Sequence, residues 1–208
     1  MDRVAHWDRV YAATPSDQVS WYAPHLATSL EWVIEAAAPV PRPVVSVIDV
    51  GGGASTLVDD LYLQGFRALT VLDVSCDALW QSQERMGSAA REIWWVAADI
   101  TQVELPEVAF DVWHDRAVFH FLTEQADKAA YRERVAKALK PRGQVVLATF
   151  SMNGPQSCSG LPVCRYDAES MAREFAPEFR VVETEMIEHR TPDGGGQEFL
   201  YTRFARLG

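Results

Sequence analysis

The sequence predicts an α/β chain built on one mostly parallel sheet with helices on both faces, and three observations lead there. Apolar, β-branched runs alternate with helical periodicities through residues 44–150, the pattern of successive strand–helix units. The first run, VVSVIDV at 44–50, turns at once through Gly51, Gly52 and Gly53 into a helical pattern, as a buried parallel strand does when it delivers backbone to a ligand. The last quarter holds two β-rich segments around Asp193-Gly194-Gly195-Gly196, a hairpin signal that ends the sheet antiparallel.

The elements follow in order. Residues 19–37 read as a helix, and Pro39, Pro41 and Pro43 make a stiff lead-in to the strand at 44–50. Leu57, Val58 and Leu61 give a helix over 54–64, which Gly65 closes in a left-handed conformation. A strand at 69–74 precedes a helix at 76–86, and a strand at 93–100, carrying Trp94 and Trp95 as core residues, leads through Pro106 to a strand at 110–115. A helix over 124–139 and a turn at Pro141-Arg142-Gly143 precede the strand at 144–150. Residues 151–165, rich in Gly, Pro, Ser and Cys, form a long loop; Asp167 caps a helix over 168–175, and strands follow at 179–189 and 198–205. Residues 1–208 are read as one domain, with a helical lid and lead-in at 1–43, a βα core at 44–150, and a loop, helix and hairpin at 151–208.

Composition narrows the function. The 208 residues are 48% hydrophobic and 23% charged, with a net charge of -10. That balance argues against non-specific binding to nucleic acid or anionic membrane, which depends on Lys and Arg neutralising phosphates. Lysine occurs only at 128, 137 and 140, so arginine carries most of the positive charge. No signal-peptide pattern opens the chain and no stretch is long enough to span a bilayer. Cys76, Cys158 and Cys164 lack the paired spacing of a metal site or a disulfide framework, so a reducing, cytoplasmic setting without bound metal is expected. Cys76, at a helix start, reads as a buried, inert thiol.

The sharpest motif is Asp49-Val50-Gly51-Gly52-Gly53-Ala54-Ser55-Thr56, after a strand and before a helix. The third glycine of a dinucleotide fingerprint is missing, and an acid stands two residues before Gly51. A diphosphate would be repelled there, whereas the amino group of a methionine moiety would be received by Asp49. Asp73, at the end of the second strand and 22 residues beyond Gly51, is placed to accept both hydroxyls of an adenosine ribose. Asp99, at the end of the third, is placed to accept the adenine amine, with Val74 and Ile100 on the ring faces. Upstream, Trp7, Tyr11, Trp21 and Tyr22 supply rings for a lid, Trp21 over the cofactor and Tyr22 toward the acceptor.

On these motifs the chain resembles the class I S-adenosylmethionine-dependent methyltransferases. The resemblance implies a Rossmann-like, doubly wound, seven-stranded sheet in the order 3-2-1-4-5-7-6 with strand seven antiparallel. Within that class, HWDRVY and VSWY near the amino end and DVWHDRAVFHFL at the fourth strand are similar to the subgroup containing citrate-synthase and elongation-factor lysine methyltransferases. The fourth-strand segment departs from that subgroup in reading His114-Asp115-Arg116-Ala117-Val118-Phe119-His120, so the acceptor does not carry over.

Methyl transfer is an in-line displacement at a sulfonium, accelerated by alignment in a dry pocket. Ligands of a doubly wound sheet sit beyond the carboxyl ends of its strands, which directs Asp115, Arg116 and His120 toward the reacting centre. Asp115 is expected to orient the donor or assist deprotonation, and His120 to act as general base and touch the acceptor. His114 reads as a hydrogen-bonded core histidine, and Arg165, with Cys158 and Cys164, as a wall of the acceptor site. The expected reaction is methylation of a small molecule; the alternatives are protein-lysine methylation and cofactor binding without catalysis.

Overall fold

Strand alternation divides the core between the two faces of one sheet. In the first strand, β1 (Ser46–Val50), Val47 packs to one side and Ile48 to the other, as a two-residue period requires. β2 (Ala68–Asp73) repeats this with Val71 and Leu72, and β4 (Phe110–Arg116) with Val112 and Trp113. The computed structural model describes residues 2–207; residues 1 and 208 lie outside it. The sheet has seven strands in the order β3-β2-β1-β4-β5-β9-β8, completed by β3 (Trp94–Ala97), β5 (Leu139–Phe150), β8 (Phe179–Arg190) and β9 (Gly196–Arg206). Only β9 runs antiparallel to its neighbours, β5 and β8. A separate two-residue hairpin pairs β6 (Ser157–Cys158) with β7 (Leu161–Pro162). With that hairpin set aside, the order is the predicted 3-2-1-4-5-7-6.

Three helices supply apolar side chains to one core face: Trp32 and Val33 from α2 (Ala27–Ala37), Leu57 and Leu61 from α3 (Leu57–Leu63), and Leu79 from α4 (Cys76–Met86). Tyr131 and Val135 of α5 (Gln125–Ala138) and Met171 and Phe175 of α6 (Ala168–Phe175) cover the other. Local chemistry sets the sharpest boundaries. Ser75 caps α4 by accepting from Ala78 N–H, and Asp167 caps α6 through a capping box with Ser170. Gly65 follows α3 at φ +92°, as its position predicts.

Several boundaries differ from the sequence reading. The helix expected over 19–37 begins only at Ala27, because Pro24 interrupts it and biases its predecessor away from helical geometry. α3 begins at Leu57 rather than 54, since the glycine turn runs on to Thr56. β3 is four residues long and lies at the sheet edge, so Trp94 is 48% exposed and not core, while Trp95 packs against the core and donates Nε1–H to the Ala90 carbonyl. Pro141 to Gly143 bulge within β5: Leu139 pairs with Phe110 and Gln144 with Val112, and Arg142 has φ +67°. Cys76 is exposed at the start of α4, not buried.

Candidate active site

The carboxyl ends of β1, β2 and β4 open onto a cleft roofed by α1 (Arg3–Ala13), a helix with no buried residue of its own. Polar bonds hold it down. Arg3 donates to Asp99 Oδ2 at 2.9 Å and to Thr101 Oγ1 at 3.0 Å, and also bonds Asp127. Asp8 accepts from Ser75 Oγ at 2.7 Å. The apolar side of the roof is a ring cluster: Trp7 meets Trp21 edge-on at 5.8 Å and Phe121 at 5.1 Å, and Tyr11 meets Trp21 at 6.2 Å.

Beneath the roof the cleft collects Gly51, Asp73, Val74, Asp99, Ile100 and Trp21. Asp73 is 6% exposed, and its Oδ1 accepts from Ser75 N–H at 2.8 Å. Burial, reinforced by the charge of Asp49, pushes its carboxyl up to about 7. Asp99 lies two residues past the end of β3 rather than on it. Burial raises its carboxyl, but bonds from Thr101 and Arg3 outweigh that and hold it below the ordinary value. The glycine turn admits no side chain. A Cβ on Gly52 would stand 2.6 Å from Asp49 Oδ2, and one on Gly53, at φ +37°, 2.7 Å from Asp73 Oδ2. Backbone therefore forms the floor where a ligand would approach, and Asp73 borders it.

A smaller recess joins the cleft at Gly51, Tyr11, Trp21 and Arg116 and contains Asp49, Gly52 and Tyr22. Asp49 Oδ1 is 2.7 Å from His114 Nδ1, both side chains being buried. His114 is thus a hydrogen-bonded core histidine, and Asp49 already has one partner.

The fourth-strand residues separate by parity. Arg116 lines both cleft and recess. Its Nη1 donates to the Trp21 carbonyl at 2.9 Å, and its guanidinium carbon stands 4.5 Å above the Phe199 ring. Asp115, one residue earlier, faces away from the cleft and is fully buried. Its carboxylate accepts from Val118 N–H at 2.9 Å, Phe119 N–H at 3.1 Å and Tyr131 OH at 2.6 Å. Burial still pushes it up to about 6 against those bonds. The expectation that Asp115 faces the reacting centre is corrected: it braces the chain turn that carries Val118 and Phe121 into the cleft.

His120 is corrected likewise. Its side chain is fully buried outside the cleft lining, and its Nδ1 accepts from Phe150 N–H at 3.3 Å. Burial, aided by the Arg116 charge, lowers its imidazole to about 3. Arg165 also misses the cleft: its Nη1 donates to the carbonyls of Met152 and Gly154, stapling the loop. The cleft wall near Arg116 is instead lined by Phe121, Phe150, Cys158 and Phe199. Phe150 and Phe199 pair across β5 and β9, a juxtaposition that only the strand register reveals. Among the described residues no cluster of three or more His, Cys, Asp or Glu is arranged to hold a metal, and no helix is long and apolar enough to cross a membrane.

A family model described as a methyltransferase domain matches residues 47–143, the segment that contains β1 to β4, the glycine turn and the acidic residues of the cleft. The matched segment, just under half of the chain, is similar in sequence to a methyltransferase domain, and the sheet has the strand order expected of the class I S-adenosylmethionine-dependent methyltransferases. The chain is 24% identical over 141 residues to the mouse eEF1A lysine and N-terminal methyltransferase, covering 68% of the chain but 19% of that protein. It therefore spans about a fifth of that relative's length. In fold it is similar to a Burkholderia thailandensis 1,6-didemethyltoxoflavin-N1-methyltransferase solved with S-adenosylhomocysteine (TM-score 0.72, 20% identity, covering 99% and 88% of the two chains). The N-methyltransferase NodS of Bradyrhizobium japonicum, also solved with S-adenosylhomocysteine, has a TM-score of 0.72 at 18% identity and 96% coverage of both chains.

Proposed function

We propose that this methyltransferase transfers the methyl group of S-adenosylmethionine to a small molecule bound beside Phe121, Phe150 and Phe199. The observation that carries the reading is one roofed cleft in which the glycine turn, Asp73 and Asp99 adjoin an apolar, aromatic end containing a single cation, Arg116. Asp73 would hold the ribose hydroxyls, Val74 and Ile100 the adenine faces, and Asp99 the adenine amine. Asp49, Gly51, Gly52 and Gly53 would border the methionine portion, with Trp21 over it and Tyr22 in the adjoining recess. Bound there, the cofactor supplies an electrophilic methyl on a sulfonium; the protein's own contribution is alignment and exclusion of water. The rings of Trp7, Tyr11, Trp21 and Phe121 exclude solvent, and their faces suit a sulfonium cation. Among the described residues, no His, Asp or Glu lines the cleft wall beside Phe121, Phe150 and Phe199, which favours an acceptor whose nucleophile is already deprotonated.

The protein-lysine reading draws support from the name of the mouse relative. Arg116 weighs against it, because an incoming ammonium would meet a like charge in a low-dielectric cleft. Calorimetry of the purified, ligand-stripped protein with S-adenosylhomocysteine tests the cofactor; micromolar binding is expected, and no binding defeats the reading. Incubating depleted cell extract with methyl-labelled cofactor tests the acceptor. Label is expected in the small-molecule fraction, and label confined to precipitated protein would reject the small acceptor.

A further inference from the structure

Arg116 is the unspent charge of the cleft. Arg3, Arg85, Arg132 and Arg203 each meet a carboxylate. Arg116 makes one bond, to a neutral carbonyl, and among the described residues no carboxylate oxygen lies within 4 Å of its guanidinium. Its position is directional. Gly51 follows β1, whereas Phe199, the ring under the guanidinium, lies on β9, three places along the sheet through β4 and β5. The charge therefore reaches away from Asp73 and Asp99, into the end lined by Phe150, Phe199 and Cys158. A half-buried guanidinium without a counter-ion retains the cost of its lost hydration, and an anion delivered to it recovers that cost. Its positive charge also registers in its neighbours: after burial, Arg116 is the group that further lowers both His120 and His189.

We propose that Arg116 anchors a carboxylate on the methyl acceptor, making the acceptor an anionic small molecule whose flat apolar body packs against Phe121, the half-buried ring of the cleft wall. The planar fork of arginine offers a carboxylate two parallel N–H bonds, and the bond to the Trp21 carbonyl and the position over the Phe199 ring restrict how that fork can turn. Phe121, which is half-buried in the cleft wall, then provides surface for an aromatic or planar ring. This proposal rests on the methyltransferase reading.

Calorimetry on the protein saturated with S-adenosylhomocysteine provides the test, with benzoate and phenylacetate as probes and benzamide as the uncharged isostere. Benzoate or phenylacetate is expected to bind at least about tenfold more tightly than benzamide, and Arg116→Met to remove that preference while S-adenosylhomocysteine affinity stays within about twofold. Arg116→Lys, which keeps the charge without the fork, should retain part of it. Equal binding of acid and amide, or no binding of either acid, overturns the proposal. So does a loss of S-adenosylhomocysteine affinity in Arg116→Met with methylthioadenosine affinity unchanged, since that assigns Arg116 to the amino-acid carboxylate of the cofactor. Failure of the wild type to bind S-adenosylhomocysteine is a different result: it defeats the methyltransferase reading and this proposal with it.

Discussion

Arg3, in the first turn of α1, donates to Asp99 across the mouth of the cleft at 2.9 Å, joining residues 96 positions apart. Because α1 buries no side chain fully, such polar contacts set how firmly it closes. Arg3→Ala is expected to speed dissociation of S-adenosylhomocysteine by about two- to fivefold, the upper part of the range of a partly exposed ion pair. Stopped-flow displacement measures the rate; an unchanged value would mean that α1 closes without this bond.

Asp73 predicts a pH dependence of cofactor binding. Its carboxyl in the empty protein titrates at about 7, against an ordinary 3.8. Stability from this group is therefore full below pH 4 and lost as pH rises toward 7. Ribose hydroxyls donate, so they select the ionised form. Affinity for S-adenosylhomocysteine should fall as pH drops below 7, by up to about tenfold per unit, with proton release on binding. Asp73→Asn should bind more weakly and flatten the profile. Calorimetry in two buffers of different ionisation enthalpy reads both effects, and a flat wild-type profile would remove Asp73 from the binding site.

Asp115 and Tyr131 should behave as a structural pair. Asp115→Ala leaves the Val118 and Phe119 N–H groups without their acceptor, at a cost of about 3 kcal/mol, and Tyr131→Phe should cost about 2 kcal/mol. Urea denaturation measures each. A direct catalytic role for Asp115 would show instead as a large loss of turnover in Asp115→Asn with stability intact.

For His120, the imidazole lowered to about 3 lies below its ordinary 6.5. The unfolded chain then binds the extra proton, so this contribution is present above pH 6.5 and is lost as pH falls below it. The stability difference between wild type and His120→Gln should shrink on going from pH 7 to pH 4.5, by on the order of 1 kcal/mol per unit. A difference independent of pH would contradict a neutral, buried ring.

Much of the fold is legible in the sequence because its signals are local. Ser75 and Asp167 cap their helices with their own side chains, and Gly65 takes the conformation that its position demands. The acidic, glycine-lined end of the cleft is legible for the same reason: Asp49, Asp73 and the glycines sit at strand ends. The aromatic end of the cleft is assembled from distant parts, with Phe199 brought beside Arg116 by β9 pairing to β5, and no local pattern announces that. Trp113 and Asp115 share a strand face, and Trp113 packs toward α5, so a two-residue period turns Asp115 from the cleft and Arg116 into it. His120 follows the chain turn and obeys no such period.

The place of β9 in the sheet has a consequence for how the chain is made. Both of its neighbours depend on it: β5 has no other strand on that side, and β8 pairs with nothing else. Synthesis delivers the cofactor half, from β3 through β5, before residues 196–206 leave the ribosome. Until they arrive, a 12-residue strand stands as an open edge and β8 has no partner, the condition that invites pairing between nascent chains. A premature stop before residue 196 would therefore leave every residue of the glycine turn in place and still yield a product prone to aggregate.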